Sequence, residues 1–200
     1  MKIIIDVADC SHIEYAEQIC SLVYTSALER GTGIAKRSPE YIIEKMNSGK
    51  AVIAVSDEGK LAGFAYIETW SHDKYVANSG LIVDHSFRKT GIAKRIKKRI
   101  FDLSRTKYPK AQIFSITTGL AVMRINTELG FKPVPFSELT QDEEFWKGCQ
   151  GCRNYDILQR NNFKMCLCTG LLYDPASKKT ALLSPKRLVS KAIKFLPQIK

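Results

Sequence analysis

Hydrophobic and polar residues recur along this chain with two different periods, which separate predicted strands from predicted helices. Alternation over two residues, or a short apolar run between turn signals, predicts strands at residues 2–7, 51–55, 61–69, 74–83, 111–117, 132–135 and 163–172. Apolar faces with a period of three to four residues predict helices that start at Ser11 and Ser38, a long basic helix after Arg88, a helix that ends at Leu129 and a helical turn at residues 141–147. The order β-α-α-β-β-β-α-β-α-β-β predicts one α/β domain.

The starts of the first two helices are predicted from capping residues. Residues 11–14 (Ser-His-Ile-Glu) have the spacing of a capping box. The first helix should then bury an apolar face formed by Ile13, Ala16, Ile19, Cys20, Val23, Tyr24 and Ala27. Ser38 precedes Pro39, and a serine cap followed by proline in the first turn favours a helix start.

The composition is that of a folded globular protein, because 44% of the 200 residues are hydrophobic. No apolar run approaches the roughly 20 residues of a membrane span. Residues 1–6 are too short and too soon charged for a secretory signal. We therefore expect a cytoplasmic protein without a membrane span, whose six cysteines are thiols.

Positive charge is concentrated at the C-terminus of the chain. The net charge is +11, and residues 176–200 carry seven cations and no acid. We divide the chain into a domain, residues 1–174, and a basic amphipathic tail, residues 175–200, with a helix at 185–196. The tail should dock on its own domain or support a homodimer, and an anionic surface is the alternative. No groove-reading motif is present, so we expect no specific nucleic-acid partner.

A second concentration of charge surrounds a glycine loop. An apolar segment, residues 80–83, leads through a polar turn to Arg-Lys-Thr-Gly-Ile-Ala at 88–93 and a basic helix. Gly91 has no Cβ and the first N–H groups of a helix lack intrahelical partners, so this arrangement predicts a phosphate cradle. Ten cations against one acid in residues 88–110 favour a polyanionic ligand. Alternatively, these cations are the solvated face of a helix whose apolar stripe is Ile92, Ile96, Ile100 and Leu103.

Residues 83–93, V-x-x-x-x-R-x-x-G-x-A, resemble the acyl-CoA motif of the GNAT superfamily of N-acetyltransferases. Leu-Gly-Phe at 129–131 resembles the ending of the family's second conserved block. The resemblance implies the GNAT fold, a mixed, mostly antiparallel sheet with a splayed central strand pair and flanking helices. It also implies an acyl-CoA-dependent N-acyltransferase that uses acetyl-CoA as co-substrate and needs no metal.

The resemblance places CoA along two neighbouring stretches. The pantetheine arm is expected at the backbone of Leu81, Ile82 and Val83, where the strand splays from the next one. The phosphates are expected at the loop and the first helical turn, which comprise Arg88, Lys89, Thr90, Gly91, Ile92, Ala93 and Lys94.

Aminolysis of a thioester needs a base for the amine and a stabiliser for the leaving thiolate. Many family members have a tyrosine four residues before the L-G-F glycine and a glutamate early in the loop strand. This chain has Asn126 and Ala77 there. We predict that Asn126 hydrogen-bonds the thiolate and that Glu68 is the base, with His85 or a water relay as the alternative.

A narrower resemblance, to the acetyltransferase domain of N-acetylglutamate synthases, rests on four short segments: residues 33–38, 116–118, 129–134 and the W-x-x-C-x-x-C of 146–152. It implies a small-molecule amine as acceptor, with an acidic amino acid such as glutamate as the leading candidate. We predict that Arg37 and Arg160 bind the acceptor's carboxylates and that Thr117 and Thr118 belong to the same site.

Cys149 and Cys152 form a C-x-x-C pair, and Cys166 and Cys168 follow. Four thiolates can hold a structural zinc. The strand predicted at 163–172 would instead bury Cys166 and Cys168 on one sheet face as small apolar residues. We expect no metal, with zinc as the alternative.

Two other functions are consistent with the same motifs. One is an enzyme of this fold that acts on a protein or peptide amine. The other is a regulatory module that binds CoA without turnover, which Ala77 and Asn126 would suit.

Overall fold

The computed structural model describes residues 1–31 and 37–177. The helix predicted at 185–196, and residues 33–36 of the synthase-like segment, lie outside this part of the chain. The elements are β1 (Ile3–Val7), α1 (Ala16–Arg30), α2 (Pro39–Asn47), β2 (Ala51–Ser56), β3 (Leu61–Trp70), β4 (Tyr75–Val83), α3 (Ile92–Lys107), β5 (Gln112–Thr117), α4 (Leu120–Glu128), β6 (Lys132–Val134), α5 (Glu143–Lys147), α6 (Tyr155–Arg160) and β7 (Thr169–Tyr173).

The strands form one seven-stranded sheet in the order β1-β2-β3-β4-β5-β7-β6. Every neighbouring pair is antiparallel except β4 and β5, which run parallel because α3 crosses between them. The mixed, mostly antiparallel sheet predicted from the sequence is therefore confirmed.

Helices cover both faces of this sheet. The α3 face is covered by α3 and α4, and Ile92, Ile96, Ile100 and Leu103 are buried against it. The predicted apolar stripe of the basic helix therefore exists together with the glycine loop. The opposite face, here called the α1 face, is covered by α1 and α2 beside the first strands and by α5 and α6 beside the last ones.

The strand predicted at residues 163–172 is wrong over its first half. β7 begins at Thr169, and Asn162 and Phe163 have positive φ angles in the turn that ends α6. The ladder between β5 and β7 runs only from Ile113 with Tyr173 to Thr117 with Thr169. Because β5 ends there, the preceding apolar residues have no strand to pair with, and Met165 and Leu167 are exposed. The helix α6 was not predicted at all.

The capping residue predicted for the first helix is also wrong. Asp9 is the cap, since its carboxylate accepts from the N–H of Ser11 and its own N–H donates to His12. Asp9 caps a six-residue 3-10 helix, Cys10–Tyr15, which precedes α1. Ile13 and Tyr24, which were expected on the buried face, are exposed. The cap at Ser38 is confirmed, because its hydroxyl accepts from the N–H of Tyr41.

Candidate active site

The central strands β4 and β5 separate partway along their length. Their parallel ladder covers only Tyr75–Ala77 against Gln112–Phe114, although β4 continues to Val83 and β5 to Thr117. Beyond this ladder, no strand of the described chain pairs with the β5 side of β4. Its N–H and C=O groups on that side are left to pair with an extended ligand.

A bulge in β4 accompanies the separation. The pairing with β3 shifts between Phe64–Ile82 and Tyr66–Ser79, so β4 contains one residue more than its partner. Gly80 lies there with φ +64°, and a Cβ at this position would be 2.2 Å from the ring of Tyr66. Glycine is therefore required at the bulge of β4.

A cavity of about 260 Å³ occupies the gap between the separated strands. Its wall includes Asn78 and Lys97 from the α3 side of the sheet and Glu68 and Arg37 from the α1 side. One cavity therefore connects the two faces of the sheet, and two ligands can approach each other through it from opposite sides.

Glu68 lies on the α1 face, directly opposite Ala77 in the β3–β4 ladder. Its carboxylate accepts hydrogen bonds from the hydroxyls of Tyr41 and Ser79. Burial and the neighbouring carboxylate raise the pKa of Tyr41, so this phenol stays protonated and keeps donating at neutral pH. The carboxylate is thus oriented at the point where the strands part.

Arg37 lies on the same side of the cavity. Its Nε donates to the hydroxyl of Tyr66 at 2.8 Å, and its guanidinium lies over the ring of Tyr41 at 5.2 Å. Burial and the charge of Glu68 raise the pKa of Tyr66 to about 12, so Tyr66 also remains neutral. A cation and an anion are thereby held on one wall with two neutral tyrosines between them.

The glycine loop is open to its surroundings. Gly91 caps α3 with φ +83°, and a Cβ built on it would meet no heavy atom of the described chain within 4 Å. The first backbone hydrogen bond of α3 runs from Arg95 to the carbonyl of Gly91. The N–H groups of Ile92, Ala93 and Lys94 therefore precede the helical ladder and are left without acceptors within the helix.

Two residues predicted to contact CoA have side chains that interact with other parts of the protein. The guanidinium of Arg88 donates to Ser26 at 3.1 Å and to the carbonyl of Val83 at 3.4 Å, so it ties the loop to α1 and β4. Lys94 forms a 2.7 Å ion pair with Glu128 of α4. Phosphate binding is therefore better attributed to the backbone N–H groups of the loop than to these two side chains.

Three other residues predicted for the site line the cavity, and two do not. Leu81, Thr117 and Thr118 line the cavity. Asn126 is fully buried in α4, and no described group bonds its side-chain amide. Arg160 is exposed and pairs with Asp156 at 3.2 Å, away from the described cavity wall.

The alternative base His85 is also remote from this wall. Its Nε2 lies 2.9 Å from a carboxylate oxygen of Glu29, in the exposed turn after β4. The structure therefore brings together Glu68 and the separated strands, but not His85.

Four cysteines line the α1 side of the cavity, and all six in the chain are free thiols. Burial raises the pKa of Cys149 to about 11 and that of Cys168 to about 12, so both are protonated thiols at neutral pH and poor nucleophiles. Within residues 1–31 and 37–177, no group of three or more His, Cys, Asp or Glu side chains is arranged to hold a metal ion. Among the same residues, no helix has the length and apolarity to cross a bilayer.

Sequence comparison decides the family. The model of the Acetyltransferase (GNAT) family matches residues 21–121, about half of the chain. The chain belongs to the GNAT acetyltransferase family. No curated protein matches the sequence of this GNAT acetyltransferase.

Solved structures share the fold of this GNAT acetyltransferase at low sequence identity. N-acetylglutamate synthase from Neisseria gonorrhoeae, complexed with coenzyme A and N-acetyl-glutamate, superposes with a TM-score of 0.61 at 20% identity, over 87% of this chain and 35% of the synthase. A GNAT acetyltransferase from Staphylococcus aureus Mu50 gives 0.62 at 15% identity, over 87% and 99%. The yncA protein from Salmonella typhimurium, with its cofactor acetyl-CoA, gives 0.58 at 14%, over 88% and 95%. The chain thus spans about a third of the synthase.

Sequence reasoning missed three side chains of this GNAT site. Tyr41 and Ser79 orient Glu68, and Lys97 lines the cavity although it belongs to a basic helix. Lys97 could have been found, because it lies four residues after Ala93 and three before Ile100 on the apolar stripe.

Proposed function

We propose that this GNAT acetyltransferase transfers the acetyl group of acetyl-CoA directly to the amine of a free amino acid, with Glu68 as the base. The observation that carries the proposal is the cavity between β4 and β5, which has Glu68 on its α1 side. The open glycine loop follows β4 along the chain, at the start of α3. Acetyl-CoA would lie with its pantetheine along β4 and its phosphates at residues 89–94. The amine would approach from the α1 face.

Direct transfer is favoured over a covalent acyl-enzyme. Thiols are the strongest potential nucleophiles of the wall, and the raised pKa values of Cys149 and Cys168 keep these two protonated at neutral pH. Glu68 would accept a proton from the amine, and tight positioning of two substrates would supply much of the remaining acceleration.

The paired charges on the α1 face support an amino-acid acceptor. Glu68 attracts the amine group of the acceptor and can accept the proton that it loses on acetylation, while Arg37 attracts a carboxylate. Buried N–H donors of Trp70 and Asn154, on the same wall, have no acceptor among the described residues and would suit carboxylate oxygens. Glutamate, with a second carboxylate, remains the leading acceptor.

An acceptor screen tests this function. Release of CoA thiol from acetyl-CoA would be measured with free amino acids and with basic peptides, and products would be identified by mass. We expect the highest kcat/KM with a free amino acid, glutamate first, and an N-acetyl product. A preference for peptides would favour the protein acetyltransferase, and CoA binding without thiol release would favour the non-catalytic module.

Replacement of Arg37 tests how the acceptor is held. We expect Arg37→Ala to raise the KM for the amino acid by roughly 10- to 100-fold, the worth of one charge-assisted hydrogen bond, with little change in the affinity for CoA. Arg160→Ala, assayed in parallel, shows whether a second arginine participates. An unchanged KM in Arg37→Ala would exclude a carboxylate contact at this residue.

A further inference from the structure

Lys97 is the one charged residue of α3 whose side chain is fully buried among the described residues. It is 1% exposed, and it shares the stripe with Ile96, Ile100 and Ser104. Four other cations of this helix are exposed, for instance Lys98, which pairs with Asp102 at 2.6 Å, whereas Arg105 is half-buried over the ring of Tyr173. Burial of Lys97 is therefore specific to its position and does not follow from the basic character of the helix.

The ammonium of Lys97 has no counter-charge. Among the described residues, none accepts a hydrogen bond from it. Its Nζ lies over the face of the Phe131 ring, 5.4 Å from the centroid. Two nearby charged groups interact elsewhere: Arg105, on α3 itself, lies over the Tyr173 ring, and Glu128 of α4 pairs with Lys94. An unpaired buried ammonium is unfavourable for folding, so its presence calls for a functional reason.

The buried side chain of Lys97 borders the cavity between β4 and β5. Its side chain lines the wall on the α3 side, with Asn78 and Ser115 of the two separated strands. The Oδ1 atom of Asn78 also lacks a partner among the described residues, while its amide donates to Ser104 at 2.7 Å. These polar groups face the side of the sheet opposite to Glu68. A base on one side and an ammonium on the other thus border one cavity.

We propose that Lys97 is a catalytic residue whose ammonium contacts the thioester sulfur of acetyl-CoA and protonates the leaving thiolate. The proposal rests on the proposed function. As the amine nitrogen bonds to the acetyl carbon, the C–S bond breaks and its electron pair passes to sulfur, which takes a proton from Nζ of Lys97. Glu68 takes the proton lost by the amine. After release of CoA and the amide, solvent returns a proton to Lys97 and removes one from Glu68.

The acidity of Lys97 suits this role. Burial alone lowers its pKa to about 7, below that of an ordinary thiol near 8.5, so transfer of its proton to a thiolate is favourable. Lys97 would supply what Asn126 cannot, because an amide does not release a proton at neutral pH. It would act from α3, whereas the family's tyrosine acts from the position of Asn126 on α4.

A pair of lysine variants on the same helix tests the proposal. We expect Lys97→Met to lower kcat by about 100-fold or more, the usual contribution of a general acid, with KM for the acceptor little changed. Lys98→Met removes the same charge from the exposed side and should retain wild-type kcat. The Tm of Lys97→Met should equal or exceed that of the wild type, because an unpaired buried charge is lost. A decrease in kcat matched by a lower folded fraction would overturn the proposal, as would a wild-type kcat.

Two further readouts separate catalysis from structure. The kcat of the wild type should decline as pH rises through about 7, where the ammonium loses its proton, and this decline should be absent in Lys97→Met. At pH 6, where Lys97 carries its proton, wild type and Lys98→Met should prefer CoA over desulfo-CoA by about tenfold, a preference that Lys97→Met loses. Lys97→Gln provides a second variant in case Lys97→Met folds poorly.

The outcomes also distinguish this proposal from the function on which it rests. If the wild type releases no thiol with any acceptor, the proposed function and the role of Lys97 both fail. If the wild type is active but the CoA preference is the same in all variants, Lys97 does not contact the sulfur and only this proposal fails.

Discussion

Glu68→Gln is expected to lower kcat by about 100- to 1,000-fold, while the affinity for CoA stays near that of the wild type. The amide keeps the size of the side chain, and its one oxygen can still accept from one of the two hydroxyls, Tyr41 or Ser79, which donate to separate carboxylate oxygens in the structure. It cannot accept the proton of the amine. Because Glu68 lies on the α1 side of the cavity, its loss should spare the CoA loop. Steady-state thiol release and calorimetric titration with CoA would measure the two quantities.

Two variants control for charge and for orientation. Glu58→Gln removes an equal charge from the exposed hairpin, where Glu58 pairs with Lys60 at 2.8 Å, and should leave kcat unchanged. Tyr41→Phe removes one donor from the carboxylate and should reduce kcat by about tenfold, the effect of one hydrogen bond to a charged group. A fully active Glu68→Gln would show that Glu68 is not the base and would favour an ordered water in that role.

The second large effect is expected for Gly91→Glu, which should weaken the binding of CoA. Gly91 lies at φ +83° with open space before it, where the phosphates of CoA are proposed to bind. A glutamate there adds both a side chain and a negative charge to the cradle. We expect the Kd for CoA to rise by about 100-fold or more, comparable to the loss of several charge-assisted bonds to the loop.

Gly91→Ala separates backbone strain from repulsion. A Cβ meets no described atom within 4 Å, so alanine should lower Tm slightly, through its positive φ, and weaken CoA binding far less than glutamate does. Circular dichroism at the assay temperature would show whether Gly91→Glu remains folded. If folded Gly91→Glu bound CoA with wild-type affinity, the loop would not be the phosphate site.

Local chemistry was enough to predict much of the fold. Ser38 and Pro39 started α2 as expected, the hairpin between β2 and β3 formed where the turn residues lie, and residues 80–93 led from a strand through a glycine loop into α3. Each of these signals involves neighbours in sequence, so the chain does not need its distant contacts to express them. The predicted strand at 163–168 failed because pairing depends on a partner, and β5 had already ended.

The catalytic arrangement, by contrast, arises from contacts between segments that are far apart in the chain. Glu68 reaches the site because it lies opposite Ala77 across the β3–β4 ladder, a register that the bulge at Gly80 helps to set. The rotation of α3 buried Lys97, and the packing of α5 and α6 placed the cysteines on the cavity wall. Periodicity and motifs determined the elements and the family. Strand register and helix rotation determined which charged groups share the cavity, because both depend on the packing of the whole domain.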